Sequence, residues 1–431
     1  MSMFSMIKTG LARCGADEWR IRRVREESAE LFFVGRDLDT RRAKSVLRYE
    51  VSVFVRVMEG EDVKKGMTEV TVLPSMSQAE IDRLLADARF AAGFVLNPDN
   101  APADPVQHEP RRSGSRLAAM TPAEAAGEIA AALFAADVHP HAFLNSAEIF
   151  AVSTHTHILS SEGTDVRWDS HTVRGEFVVQ CKEPEDVEIY RSFSYDEPET
   201  EALQQLAAEA LDFVYDRARA RKILKSGEYD LILSGNEVGE LLGFYAMRSN
   251  AGMIYAGMSR WQPGETVQSE GSGERLDLTL CAQEPYSEEG IPMEDRPLLR
   301  GGVLCGIHGG NRFCRYLGAQ PTGDYRRIRC TDPGTASFEE LKQGPCLWAV
   351  TFSDFQMNPM SGHFGGEIRL AYLIENGRAV PVTGGSVNGS LLAVQGDLAF
   401  SRERFRSSRY EGPYAVRMKG IPVAGTEGEE T

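Results

Sequence analysis

The chain has 431 residues, 42% of them hydrophobic and 26% charged, with a formal net charge of −16. That length and apolar content can bury substantial cores and leave room for two domains, which excludes a disordered polymer. The acidic balance argues against nucleic acid or an anionic membrane as partner, because phosphate affinity rests on Lys and Arg displacing counterions.

Seven cysteines (Cys14, Cys181, Cys281, Cys305, Cys314, Cys330, Cys346) form an odd, scattered set without a C-x-x-C pair. Neither a disulfide framework nor a structural zinc knuckle is expected, and reduced thiols fit a cytosol. The start, MSMFSMIKTGLARCG, has a broken apolar run and no small-residue cleavage site, so no secretory signal is read there and a cytoplasmic location is expected. No run of about 18 uncharged apolar residues occurs, so no membrane span is expected.

From Trp19 to about Leu73 three segments carry β-branched and aromatic residues alternating with polar ones, the pattern of a strand meander. Ser77 then caps a helix with apolar Ile81, Leu84, Leu85, Ala88 and Ala91 at helical spacing, ended by Gly93. The stretch NPDNAPADPVQHEPRRSGS reads as an exposed linker or long loop. Thr121, Pro122 and Glu124 open a second helix running to about Ala136. Strands are expected at Ala147–Leu159, Asp165–Trp168 and Val173–Lys182, followed by a long helix from about Glu199 to Arg221.

Beyond Ser226 come a short strand YDLILS, a helix-like GNEVGELLGFYAMRS, and many short strands between glycine-rich turns. The expected fold is therefore α+β. An N-terminal sheet-and-helix domain of two α/β blocks (residues 1–221) precedes a mostly β, glycine-rich C-terminal domain (222–425) and an acidic tail (426–431).

Within the second half, FQMNPMSGHFGGEIRLAYLIENGRAVPVTGGSVNGSLL resembles the Asn-Pro-x-x-Gly-x-Phe segment, Ile-Glu-Asn-Gly turn, Pro-Val pair and final Gly of the TldD/PmbA (TldE) metalloprotease family. These are carried by Asn358, Pro359, Gly362, Phe364, Ile374, Glu375, Asn376, Gly377, Pro381, Val382 and Gly389. Upstream, Pro321, Thr322 and Gly323 match the family's Pro-Thr-Gly stretch. Glu375-Asn376-Gly377 also has a purely local reading, a hairpin turn in which Asn-Gly takes positive φ.

Active TldD-like proteins carry His-Glu-x-x-x-His on a helix, and matching Gly239, Leu241 and Leu242 to the residues before that motif places it on Gly243-Phe244-Tyr245-Ala246-Met247-Arg248. Glycine, phenylalanine and a cationic arginine offer zinc neither ligand nor base. The third ligand has no counterpart either, since the last cysteine is Cys346, and the closing Gly412-Pro413 and Val423-Ala424-Gly425 look like the end of TldE/PmbA chains. No catalytic residue, metal site or cofactor is expected in this chain. A shifted alignment onto Asn236-Glu237 with Glu240 gives acids without imidazole, a poor zinc site and more simply a solvated helix face.

His155 and His157 share one strand face and read as solvent-facing, and His139 and His141 flank Pro140 in a loop. His308, His363, Cys305 and Cys314 belong to the family-like half, where a metal or nucleophilic site would need proximity and a lowered thiol pKa. GIHGGN lacks the lysine and following helix of a phosphate loop.

The resemblance implies a TldE/PmbA-like subunit that lacks its own metal, paired with a zinc-carrying TldD-like subunit. Such a pair processes unfolded peptides or the leader peptides of ribosomal natural products, held as strands on a sheet edge. Asn358, Pro359, Gly362, Phe364, Gly365 and Gly366, with the Gly243–Arg248 helix, are the expected peptide-contacting or interface residues. Two other readings stay open: a stand-alone hydrolase with a non-standard site, and a non-enzymatic peptide-binding homodimer.

Overall fold

Alternation of buried and exposed side chains lays down the first sheet, and capping boxes place two of the helices that cover it. The computed structural model describes residues 2–220, 222–331 and 334–426. Arg221, at the expected end of the long helix, and the acidic tail beyond Thr426 lie outside the described residues.

The opening segment forms α1 (Met3–Cys14), a helix that the broken apolar run had not suggested. The Ser2 hydroxyl accepts from the Ser5 N–H, Ile7 and Leu11 face inward, and Gly15 ends the helix at φ +67°. There follow β1 (Glu18–Val34), β2 (Asp37–Glu59), β3 (Asp62–Val72), α2 (Gln78–Ala92) and β4 (Leu96–Pro98). The second block holds α3 (Pro122–Ala135), β5 (Phe143–Ser160), β6 (Asp165–Cys181), β7 (Val187–Tyr195) and α4 (Thr200–Arg219). Ser77 with Glu80, and Thr121 with Glu124, close full capping boxes on α2 and α3. The two segments expected at 165–168 and 173–182 are one strand, β6, and β7 is a strand the sequence reading passed over.

All seven strands form one antiparallel sheet in the order β4-β3-β2-β1-β5-β6-β7. Each block runs helix, three strands, helix, and the first long strands of the two blocks, β1 and β5, pair at the centre. On one face α1 and α2 bury Ile21, Tyr49, Val51 and Val53, while α3 and α4 bury Ala147, Ile149, Val173 and Phe177. The opposite face carries Arg22, Glu26, Thr154, Thr156 and Trp168 and looks toward the second half of the chain.

That half contains β8 (Lys222–Ile223), β9 (Gly227–Ser234), α5 (Asn236–Arg248), α6 (Ala251–Tyr255), β10 (Leu278–Cys281), β11 (Arg296–Arg300) and β12 (Val303–Leu304). It continues with α7 (Asn311–Tyr316), β13 (Arg327–Cys330), α8 (Phe338–Leu341), β14 (Cys346–Met357), β15 (His363–Glu375), β16 (Arg378–Thr383) and β17 (Ser386–Ser390). The last strands are β18 (Ala399–Phe400), β19 (Arg404–Arg406), β20 (Tyr410–Pro413) and β21 (Ala415–Ala424). One sheet runs β14-β9-β21-β17-β15-β16-β8, and pairing of β14 with β15 closes it on itself. A second sheet runs β12-β11-β10-β13-β20-β19. Helix α5 lies between them, with Val238, Leu241, Leu242, Phe244 and Tyr245 in the core both sheets share. The hairpin at 375–377 forms as expected, with Asn376 at φ +52° and Gly377 at φ +72°. No helix among the described residues is long and apolar enough to cross a membrane.

Candidate functional site

The segment 243–248 is the last turn and a half of α5, and each of its three key positions has a distinct environment. A Cβ on Gly243 would meet nothing within 4 Å, so this position faces open space. Phe244 is 1% exposed, its ring edge-on to Tyr245 and Trp261 at 5.4 and 5.6 Å. Arg248 turns its guanidinium over the Trp261 ring, donates to the Met258 carbonyl, and donates to the Met360 carbonyl at 3.3 Å. Burial lowers the Arg248 pKa from its ordinary value, yet the group stays cationic at neutral pH. A permanent cation bonded to two carbonyls, beside a buried phenyl ring and a bare backbone, does not fit zinc. Among the described residues no group of three or more His, Cys, Asp or Glu is placed to hold a metal ion.

Through Arg248 the helix end meets the 358–362 turn. The Asn358 side-chain oxygen accepts from the N–H groups of Met360 and Ser361 at 2.9 and 3.2 Å, and the Gly362 N–H donates to the Asn358 carbonyl at 2.9 Å. Pro359 occupies the bend. Gly362 takes φ +74°, and a Cβ there would lie 2.8 Å from Leu392 and 3.6 Å from Phe244. The two sequence-predicted segments are therefore brought together. Around their contact Met247, Met258, Met360 and Leu392 leave 43–56% of their surface exposed. The three methionines carry flexible thioethers, which suit a surface that accepts varied apolar partners.

Phe364, Gly365 and Gly366 sit deeper. Phe364 is 2% exposed and its ring fills the space beside Gly389. A Cβ on Gly365 would stand 2.7 Å from the Val387 carbonyl, and one on Gly366 would stand 2.6 Å from that of Asp354. These two glycines let β14, β15 and β17 close into the ring, so side chains there would disturb the sheet before any ligand.

The histidines and cysteines considered from sequence do not assemble. His308 is buried, with Nε2 2.8 Å from the Ala246 carbonyl, and its backbone N–H donates to the Ser249 carbonyl, tying the end of α5 down. Burial lowers its pKa. The Cys314 thiol donates to the Gly309 carbonyl and is pushed up by burial to about 11, unlike an activated nucleophile. Cys305 and His363 are exposed. His157 is not solvent-facing as expected: its side chain is 12% exposed, pairs with Asp165 at 2.9 Å and packs on Phe4 of α1, the helix the sequence reading lacked. His155, more open, pairs with Asp169 at 2.6 Å. His141 stacks on Tyr215 and accepts His139 as a neighbour. Glu240 is exposed as a helix-face residue, but Glu237 is half-buried, its carboxyl raised by burial against the opposing pull of Arg191.

A cleft of about 1470 Å³ lies between the open face of the first sheet and the second half. Sequence reasoning missed it, because its walls come from segments far apart in the chain. Arg22 bridges them, paired with Glu50 at 2.5 Å and Glu288 at 3.1 Å. The Trp168 indole N–H donates to Glu284 at 2.6 Å, and burial raises that carboxyl. At the seam beside it Asp196 pairs with Arg327 at 2.9 Å and Arg406 at 3.0 Å.

The chain is similar to known proteins in sequence and in fold. The PmbA/TldA metallopeptidase C-terminal domain family matches residues 226–425. A "Metalloprotease TldD homolog" of Haemophilus influenzae is 28% identical over an alignment 159 residues long that covers 33% of this chain and only 30% of that relative. TldE of Thermococcus kodakarensis shares the fold over 98% of this chain and 100% of its own, with a TM-score of 0.76 and 14% identity. A Thermotoga maritima protein described as a proposed modulator of a DNA gyrase matches 98% of this chain and 100% of its own, with a TM-score of 0.77 and 16% identity.

Proposed function

We propose that this chain, which belongs to the TldD/PmbA family, acts as the metal-free subunit of a two-subunit peptidase whose zinc is carried by a TldD-like partner. The observation that carries the reading is Arg248. At the position of the motif's second histidine stands a cation engaged with the carbonyls of Met258 and Met360. Gly243 and Phe244, in place of the other histidine and the glutamate, offer no ligand and no base.

The substrate class in this reading is an unfolded peptide, either a leader segment of a ribosomal natural product or a flexible stretch of another protein, and the setting is the cytoplasm. The Met247, Met258, Met360 and Leu392 surface, with the Asn358–Gly362 turn at its centre, is the face turned to the partner or to the peptide. Phe364, Gly365 and Gly366 support that face from within the sheet. A stand-alone hydrolase gains no support from His308 and Cys314, whose side chains are buried and engaged with backbone carbonyls.

The test is metal analysis of the purified chain after zinc loading and dialysis, together with incubation with an unstructured peptide. The expected result is neither stoichiometric zinc nor cleavage. Zinc retained at one per chain with peptide hydrolysis would contradict the reading.

A further inference from the structure

Strand β7 covers only part of β6: Val173–Cys181 pairs with Val187–Tyr195, and the outward edge of Asp165–Asp169 extends past it. That edge is occupied by the linker, which runs parallel to β6. The Asp165 N–H donates to the Val106 carbonyl at 2.8 Å, and the His108 N–H reaches the Asp165 carbonyl at 3.5 Å. The Arg111 N–H donates to the Arg167 carbonyl at 2.9 Å, and the Asp169 N–H to the Arg111 carbonyl at 3.2 Å. The linker thus behaves as a strand, although its composition reads as an exposed loop.

Few side-chain contacts add to this pairing, among them the Gln107 amide, which donates to the Gly163 carbonyl at 3.0 Å. Val106 packs against Ile158, Val166, Trp168 and Tyr286, while residues 107–112 are all exposed. The His108 ring stacks on Tyr286 with centroids 6.3 Å apart, and the Arg111 guanidinium lies 5.2 Å over the same ring. Pro105 and Pro110 keep the strap extended and withhold two N–H groups from pairing. Tyr286 is 1% exposed, lines the cleft, and its hydroxyl has no hydrogen-bond partner. A sheet edge with an unpartnered buried hydroxyl beside it, covered by backbone pairing, one apolar anchor and one amide hydrogen bond, has the form of a peptide-binding lane.

We propose that the outward edge of β6 over Asp165–Asp169 is a docking lane for an extended peptide, which the 105–112 strap occupies until a peptide displaces it. The strap itself defines the fitting chemistry. The guest runs parallel to β6, sets a branched apolar side chain in the Val106 place, and lays aromatic or guanidinium groups on Tyr286 two and five residues further on. The lane borders the large cleft, so a guest leads into it. The inference rests on the reading of this chain as a peptide handler, but it concerns binding by this chain alone and is tested without a partner or zinc.

The probe is a fluorescent synthetic peptide with the sequence of residues 103–113, titrated by anisotropy into the full chain and into a variant whose residues 105–111 are replaced by a Gly-Ser segment of equal length. The variant should bind at least about tenfold more tightly, because a lane filled by its own strap nine-tenths of the time loses that factor in apparent affinity. The same peptide carrying Val106→Asp should lose binding. Equal affinity for both proteins, or no binding to a variant that melts like the parent, would overturn the proposal. Hydrogen exchange on the unaltered chain tests it without any substitution. The Arg111 and Asp169 amides should exchange far faster than those of Val173–Cys181, and equal protection would overturn the displaceable strap.

Discussion

Arg248 joins the end of α5 to the 358–362 turn through one side chain. Replacing it with alanine leaves the Met258 and Met360 carbonyls without their charged donor and should cost about 1–3 kcal/mol in urea unfolding. A variant with Gly243→His, Phe244→Glu and Arg248→His rebuilds the motif's letters but puts a carboxylate where Phe244 is 1% exposed. It should lose about 3 kcal/mol or more and still fail to retain zinc on dialysis, because the third ligand is missing. Tight zinc in that variant would show that the fold keeps a latent site. At Gly362, alanine must hold φ +74°, so thermal melting should report a loss of about 1–2 kcal/mol. Gly366→Val, pressed against the Asp354 carbonyl and Phe355, should cost about 3 kcal/mol or more. Lost peptide cleavage with that variant would therefore report on the sheet, whereas Gly362→Ala probes the turn.

Among the elements, the seam between β7 and the second half has a defined pH response. Burial alone would raise the Asp196 carboxyl, but Arg327 and Arg406 outweigh it and hold the pKa below its ordinary value. A depressed folded pKa stabilises above the unfolded value near about 4 and loses that contribution as pH falls through the folded one. Asp196→Asn should thus destabilise the chain at pH 7, and its difference from the parent in urea midpoint should shrink below about pH 4. A difference independent of pH would contradict the assignment. How far these elements could be read beforehand differs case by case. Helices α2 and α3 are written locally, in Ser77 with Glu80 and Thr121 with Glu124. Helix α1 is not, because its packing groove comes from α2, where Leu85 and Asp82 lie against Gly10. Strand β7 does carry a signal, the alternation of Val187, Ile189, Phe193 and Tyr195, which the charged residues between them obscure. The place of the site on a helix followed from the family resemblance, but Arg248's partners did not, since Met360 is 112 residues away.

For the whole molecule, a sheet with one open face, a closed ring of strands and α5 wedged between two sheets leave two features turned outward: the cleft with its strap, and the methionine-rich face around Arg248. In the proposed reading both are surfaces that handle a peptide chain. If the proposed function holds, cleavage needs this protein and a zinc-bearing relative together. The direct measurement mixes the purified chain with a TldD-like partner retaining His-Glu-x-x-x-His, and follows zinc content and hydrolysis of an unstructured peptide for each protein alone and for the pair. Cleavage confined to the mixture, with zinc only on the partner, is the predicted result. Zinc-dependent cleavage by this chain alone would contradict it.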